Sequence, residues 1–275
     1  MDSPDRQPTH EFASIDGVVT PAAEAVIPAT DEGFLRGDGV FEVFRVYGGR
    51  PFGLARHLRR LLHSAEGIRL PEIDPRAIEQ DVAAVIAARG EDSYGIRIVV
   101  TRAGRRLVIS EPIHDYPPAV RLACVEYRPS ILLDGLKTLS YAANMLANRV
   151  AQERGYDESL LVSPDGTVLE APTASLFWSP DGQSLVTPPL SEGILASITR
   201  AVLLESFEIV ERSTKRDELA GATEAFLCSS VREIQAVGAI DTTRLPAPGP
   251  LTAAATKAYA DAVEARLAAA PANSI

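Results

Sequence analysis

The sequence predicts an α+β protein of two domains, and three observations carry that prediction. Strand-like and helix-like runs are interspersed along both halves of the chain, without the regular alternation of a parallel βαβ array. A segment with Pro near its start and Gly at its end, Arg-Pro-Ser-Ile-Leu-Leu-Asp-Gly at 128–135, separates the halves. The length, 275 residues, suffices for one large or two modest domains. The expected organisation is an N-terminal α/β domain over 1–127, a linker over 128–135 and a C-terminal domain over 136–275.

Each element has a local reason. The first ten residues read as loose. Residues 40–47 alternate apolar and polar as a strand does, and Gly48-Gly49 turns the chain into a hairpin with 50–52. Residues 55–66 place leucines at 58, 61 and 62 on one helical face. A second helix spans 75–89, with Pro75 at its entry and Gly90 after its end. Strands are expected over 96–101, 107–110 and 120–127. The second half opens with a helix over 142–154, stopped by Gly155. Two copies of Ser-Pro-Asp-Gly, at 163–166 and 179–182, have the composition of tight turns between β-rich runs. A helix over 195–205, strands over 208–211 and 225–229, and a helix over 252–268 follow, and 271–275 reads as a tail.

Composition narrows the function. A net charge of −10 argues against nucleic acid and anionic membranes as partners. No apolar run reaches the length of a membrane span, and the polar N-terminus lacks a signal-peptide layout, so the expected location is the cytoplasm. Cys124 and Cys228 lie in apolar strand-like runs and are expected as free buried thiols. The four histidines show no metal-ligand spacing, and no metal is expected. There is neither a Gly-rich dinucleotide fingerprint nor a phosphate-binding P-loop.

Five features could carry chemistry. Among 27 basic residues only three are lysines, and Lys137 alone has apolar company, in Gly-Leu-Lys-Thr-Leu-Ser-Tyr at 135–141. Burial lowers a lysine pKa, and a neutral amine forms Schiff bases with carbonyls; the alternative is a lysine that snorkels to water. Glu170 closes an apolar strand, either as an inward carboxylate or as a surface acid. The loop-to-helix run Gly-Ile-Leu-Ala-Ser-Ile-Thr-Arg at 193–200 offers hydroxyls beside free N–H groups, which suits phosphate or ordinary capping. His57 and Arg60 share a helix face, so Arg60 could add positive charge to the same phosphate or lie in solvent. Cys228-Ser-Ser-Val231 ends a strand in a hydroxyl-rich loop, an anion donor or a plain exposed turn.

In this order the motifs resemble the fold type IV family of pyridoxal-phosphate enzymes over nearly the whole chain. The resemblance rests on Asp-Glu-Gly-Phe-Leu-Arg-Gly-Asp-Gly-Val-Phe-Glu at 31–42, His-Leu-Arg-Arg-Leu at 57–61 and Lys-Thr-Leu-Ser-Tyr at 137–141. It continues through Gly-Tyr-Asp-Glu at 155–158, Asp-Gly-Thr-Val-Leu-Glu at 165–170, Thr-Pro-Pro-Leu at 187–190 and Ser-Ile-Thr-Arg at 197–200. It implies a class IV aminotransferase, a homodimer with a smaller N-terminal α/β domain and a larger β-barrel-like C-terminal domain with flanking helices. The implied cofactor is pyridoxal 5′-phosphate, held covalently by Lys137, which also moves the proton during transfer. Glu170 matches the carboxylate paired with the pyridine nitrogen, and Arg60, Ile198, Thr199 and Ser230 match phosphate donors. Tyr141 resembles a tyrosine near the cofactor's 3-oxygen.

The resemblance is nearest the D-amino acid aminotransferase and aminodeoxychorismate lyase branch, through Gly37-Asp38-Gly39. Ser175 stands where Asn is common and Ser197 where Gly is common, departures that leave the lysine and anion cradle intact. Phe41, Val231, Arg36 and Arg97 fall at substrate-facing positions, and the two arginines would form a carboxylate clamp unless Arg36 is exposed and Arg97 pairs with an acid. The expected reaction is amino transfer from amino acids, D-enantiomers preferred, to an α-keto acid such as 2-oxoglutarate or pyruvate. An aminodeoxychorismate lyase is the alternative, followed by a branched-chain L-amino acid or (R)-amine transaminase.

Overall fold

Val40, Glu42, Phe44 and Val46 point to one face of a nine-residue strand and are each 0% exposed. Around that strand the computed structural model, which describes residues 11–269, builds the first of two compact units. One unit comprises 11–114 with Lys137–Ser140, the other Asp115–Leu136 with Tyr141–Ala268.

The first unit contains β1 (Phe12–Ile15), β2 (Val18–Pro21), α1 (Glu32–Arg36), β3 (Gly39–Tyr47), β4 (Arg50–Pro51), α2 (Leu54–Gly67), α3 (Pro75–Arg89), β5 (Tyr94–Thr101) and β6 (Arg106–Glu111). Its sheet runs β2-β1-β6-β5-β3-β4, antiparallel throughout. The apolar stripes of α2 and α3 cover one face, where Leu58, Leu61, Ile78 and Val82 meet Phe44, Ile96 and Ile98. The predicted boundaries of α3 hold to the residue, because Asp74 accepts from the Arg76 N–H at 2.9 Å and Gly90 ends the helix at φ 96°. Residues 137–139 add to the start of β3: Phe41 N–H donates to Lys137 O, Leu139 N–H donates to Gly39 O, and Val40 bridges Thr138. Gly39 permits that approach, since a Cβ there would lie 2.6 Å from Val100 O and 2.7 Å from Leu139 Cδ1.

The second unit contains β7 (Ala119–Glu126), α4 (Ala142–Glu153), β8 (Glu158–Val162), β9 (Ser175–Ser179), β10 (Leu185–Thr187), α5 (Ile198–Ser206), β11 (Ile209–Glu211), β12 (Glu224–Ser229), β13 (Glu233–Ile240), β14 (Thr243–Arg244) and α6 (Pro250–Ala269). The sheet runs β11-β10-β9-β12-β13-β7-β8, with β14 on β13. Its two ends approach each other through residues 167–168: Val162, the last residue of edge strand β8, bridges Val168, and Thr167 bridges Lys215, four residues past edge strand β11. The sheet therefore curls toward a barrel around Trp178, Leu160, Leu176, Leu227 and Val237. Ala147 and Ala151 let α4 pack closely on Ala123 and Leu161.

Several features differ from the sequence expectation. The expected domain boundary after 127 gives way to a division after His114, because β7 lies between β13 and β8, parallel to both. Lys137–Ser140 likewise group with the first unit through their bonds to β3. Helix α5 starts at Ile198 rather than 195, since Ser197 is extended (φ −66°, ψ 135°) and caps it. The long strand β13 has no clear alternation in its sequence, with Gln235 buried and Gly238 inside it. The expected tail over 271–275 lies outside the described residues. Among the described residues no helix is long and apolar enough to cross a membrane.

Helix α6 is fastened to β12 by a buried carboxylate. Glu224, 2% exposed, accepts from Leu251 N–H at 3.0 Å, Thr252 N–H at 2.8 Å and Thr252 Oγ1–H at 2.9 Å, which satisfies the donors and the dipole of the helix start. Replacing it by alanine leaves those donors unmet inside the protein. Glu224→Ala is expected to destabilise by about 2–4 kcal/mol, read as a lower denaturant midpoint, because charge-assisted bonds of this kind are each worth about 1.5–3 kcal/mol.

Candidate active site

In the first unit, the expected phosphate arginine and lysine are set by β3 and α2. His57 and Arg60 turn inward from α2, not outward as a solvated face would, and converge on Glu42. Arg60 Nε donates to Glu42 Oε1 at 2.6 Å and Nη2 to Oε2 at 2.7 Å, and His57 Nδ1 lies 2.7 Å from Oε2. Burial opposes ionisation of Glu42, but Arg60 and then His57 outweigh it and bring the carboxyl down to about 2. Burial also holds His57 below its ordinary value despite Glu42, so it is neutral and donates through Nδ1. Sequence reasoning missed Glu42; its signal was an acid at an inward position of an alternating strand.

Lys137 is half-buried, and its backbone N–H donates to the buried Ser64 Oγ at 3.0 Å. Its ammonium stands 4.2 Å from the centre of the Phe41 ring, and the Arg97 guanidinium stands 5.4 Å from the same centre. Phe41 is thus the common neighbour of the lysine and one clamp arginine. Arg97 is forked onto Glu111 at 2.5 and 3.0 Å, and exposed Arg36 pairs with Glu32. The expected open clamp is corrected to this extent: both arginines hold carboxylates of the chain itself.

In the second unit, loops from neighbouring strands gather the remaining residues. Cys228 at the end of β12 is opposite Ser175 at the start of β9, so the loop after β12 and the loop before β9 share one sheet end. The first carries Ser230 and Val231, the second Glu170. Glu170 Oε1 accepts from Leu195 N–H at 3.1 Å, which ties it to the approach to α5. Tyr141 Oη–H donates to Pro172 O at 2.7 Å and fixes the turn after Glu170. Ile198 and Thr199 form the buried first turn of α5, and Ser230 is 9% exposed. The Cys228 thiol is pushed up to about 12 by burial, with Arg200, Arg232 and Glu170 acting on it and Ser197 bonding to it. It is no nucleophile at neutral pH.

The comparisons with known proteins identify the group. The model of the family described as amino-transferase class IV matches residues 39–240. The chain belongs to the class IV aminotransferases. A putative branched-chain-amino-acid aminotransferase of Methanocaldococcus jannaschii is 30% identical over 82% of this chain and 87% of its own length. A bifunctional aminodeoxychorismate lyase / D-amino acid transaminase of Mycobacterium tuberculosis is 29% identical over 85% and 92%. Among solved structures, a fold IV transaminase from Curtobacterium pusillum superposes with a TM-score of 0.85 at 30% identity, covering 94% of this chain and all of that one. A hypothetical aminotransferase from Mycobacterium tuberculosis in its PLP-bound form gives 0.84 at 26%, covering 93% and 99%.

Class IV aminotransferases use pyridoxal 5′-phosphate, and this aminotransferase has residues that fit it. Thr199 Oγ1 is fully buried without a hydrogen-bond partner among the described residues, in the first turn of a helix. An orphaned hydroxyl beside helix-start N–H groups calls for an acceptor with several oxygens, as a phosphate has. Lys137 in the first unit and Glu170 in the second are both half-buried, an amine and a carboxylate of the kinds such a cofactor requires.

His57 gives the aminotransferase an acid-side instability. Unfolded, the imidazole takes up a proton near 6.5; folded, it does so only at lower pH, so stability present above 6.5 is lost as pH falls. Glu42 adds a loss of the same sign between about 4.5 and about 2. The unfolding free energy is expected to fall between pH 7 and 5 with a slope of up to about 1.4 kcal/mol per unit from His57. Denaturant titrations of His57→Asn should show a flatter profile there; an unchanged profile would contradict the assignment.

Proposed function

We propose that this class IV aminotransferase transfers the amino group of an amino acid, D-enantiomers preferred, to an α-keto acid such as 2-oxoglutarate or pyruvate. The observation that carries the reading is the placement of Lys137 against Phe41 in company with Arg97. A half-buried amine at an aromatic face is what a site that forms Schiff bases with carbonyls needs, and Arg97 beside it already holds Glu111.

Bound pyridoxal phosphate supplies an electron sink for bond cleavage at the substrate Cα. The chain's own residues do the rest. Lys137 would hold the cofactor covalently and, once freed, would take the proton from the substrate Cα and deliver it to the cofactor's C4′, as base and then acid. Glu170 would keep a proton on the pyridine nitrogen. Arg60, Ser230 and the Ile198–Thr199 turn would donate to the phosphate, and Tyr141 would border the ring. Phe41 and Val231 would shape the substrate side, where Arg97 and Arg36 would reach a carboxylate only by releasing Glu111 and Glu32. Exposed Phe34 and Leu35, 68% and 53% accessible beside Arg36, support a homodimer in which this segment meets a partner subunit. The location we infer is the cytoplasm.

The D-preference is supported by Gly37-Asp38-Gly39, in which Asp38 is locked by a fork from Arg102 at 2.9 and 3.0 Å. It is supported too by the tuberculosis relative and by a relative named D-alanine aminotransferase, 27% identical, from Bacillus licheniformis. The second reading, an aminodeoxychorismate lyase, draws on the other activity in the tuberculosis relative's name. The archaeal relative's name supports a branched-chain transaminase as the third.

The purified protein is expected to show visible absorption from cofactor joined to Lys137, bleached by D-alanine faster than by L-leucine. Bleaching by L-leucine alone would reject the D-preference, and 4-aminobenzoate formed without a keto acid would favour the lyase. Lys137→Ala should lower turnover by about a thousandfold or more. Lys215→Ala and Lys257→Ala should leave it unchanged, because these lysines pair on the surface with Asp165 and Asp261.

A further inference from the structure

Arg232 is a buried arginine with two of its guanidinium nitrogens unpartnered among the described residues. It follows Ser230 and Val231 in the short connection from β12 to β13, and its backbone N–H donates to Ser229 Oγ at 3.3 Å. The side chain is 5% exposed. Nη2 meets Glu158 Oε2 at 2.8 Å and lies 3.5 Å from Thr173 Oγ1, and the guanidinium carbon stands 5.0 Å from the centre of the Tyr116 ring. Nε and Nη1 are buried with no hydrogen-bond partner among the described residues.

Glu158 and Tyr116 hold the group in place from two sides, and Glu158 offsets its charge. Neither gives an acceptor to the remaining nitrogens. Buried donors without acceptors are costly and uncommon, so a guanidinium held this way calls for another acceptor. The location says which molecule brings it. Thr173 lies three residues after Glu170, in the turn fastened by Tyr141. Both Glu170 and Arg232 act electrostatically on Cys228 at the shared end of β9 and β12. Arg97 and Arg36, by contrast, already hold Glu111 and Glu32.

We propose that Arg232 binds a carboxylate of the substrate, a role that rests on the amino-acid transaminase reading above. A planar guanidinium fixed by one carboxylate presents its other N–H groups to a second with little further loss of freedom. The carboxylate is either the one on the reacting carbon or a second one at the far end of a dicarboxylic substrate. In both cases a rigid donor set selects acids over uncharged amines.

The test uses the cofactor-loaded enzyme and two unreactive probes, glutarate with two carboxylates and butyrate with one, titrated by calorimetry. Arg232→Lys keeps the charge opposite Glu158 but removes the planar donors Nε and Nη1; Arg232→Met removes charge and donors alike. Both variants are expected to bind glutarate about ten- to a hundredfold more weakly than the parent, the scale of a charge-assisted bond. Butyrate weakened equally assigns the carboxylate on the reacting carbon, and butyrate unchanged assigns the distal one. The KM for 2-oxoglutarate should rise in parallel while kcat stays within about threefold. Should Arg232→Met fail to fold, Arg232→Lys decides alone. Unchanged glutarate and butyrate affinity in the folded variants overturns the proposal and leaves water as the acceptor. An enzyme that transfers amine while ignoring residue 232 refutes only this role; one that transfers none refutes the functional reading itself.

Discussion

A carboxylate with no exposure to water, Glu42, is the constraint on which the first unit's chemistry depends. An ionised acid in the middle of a sheet face is unfavourable unless its charge and lone pairs are met, and Arg60 and His57 meet them. The same three groups fix where α2 lies on β3, because the helix must present residues 57 and 60 to position 42. The polar cluster therefore specifies a register as well as a charge. Arg60 arrives at its place already ordered, so a bound anion would gain its charge without the entropy loss of freezing a long side chain.

Lys137 depends on that same strand. Its segment pairs with the start of β3 through Gly39, Phe41 and the bridge from Val40 to Thr138. Backbone bonds on both sides of the residue, and one from its own N–H to Ser64, leave the side chain as the main freedom. On the function proposed above, an amine that alternates between holding a group and moving a proton would benefit from a backbone fixed in this way.

Much of this was legible in the sequence, for reasons that differ by element. Helix α3 was readable to the residue because its ends are chemical signals, Asp-Pro at the entry and Gly at the exit. Strand β3 was readable because one face is buried and the other is not. Strand β13 was not, because its burial continues on both faces and its side chains are small. The division between units escaped too, since parallel pairing of β7 with β8 and β13 is a long-range fact that no local composition encodes. For the site, the residue types and their order were visible, whereas their partners were not.

That last distinction matters most for arginine. A sequence displays a guanidinium as a charge, but its capacity to bind a substrate depends on which donors the fold has already used. Arg97 and Arg200 read alike in the sequence, as basic residues in apolar runs. In the fold Arg97 is forked onto Glu111, and Arg200 bonds Pro188 O and Glu211 through Nη2, which leaves only its Nε buried without an acceptor among the described residues. Arg232 attracts no notice in a polar loop between two strands. Folding buries it, commits one nitrogen to Glu158 and leaves Nε and Nη1 without acceptors. The functional potential of a buried arginine is what remains after its structural bonds are subtracted, and that remainder appears only once partners from distant strands are in place.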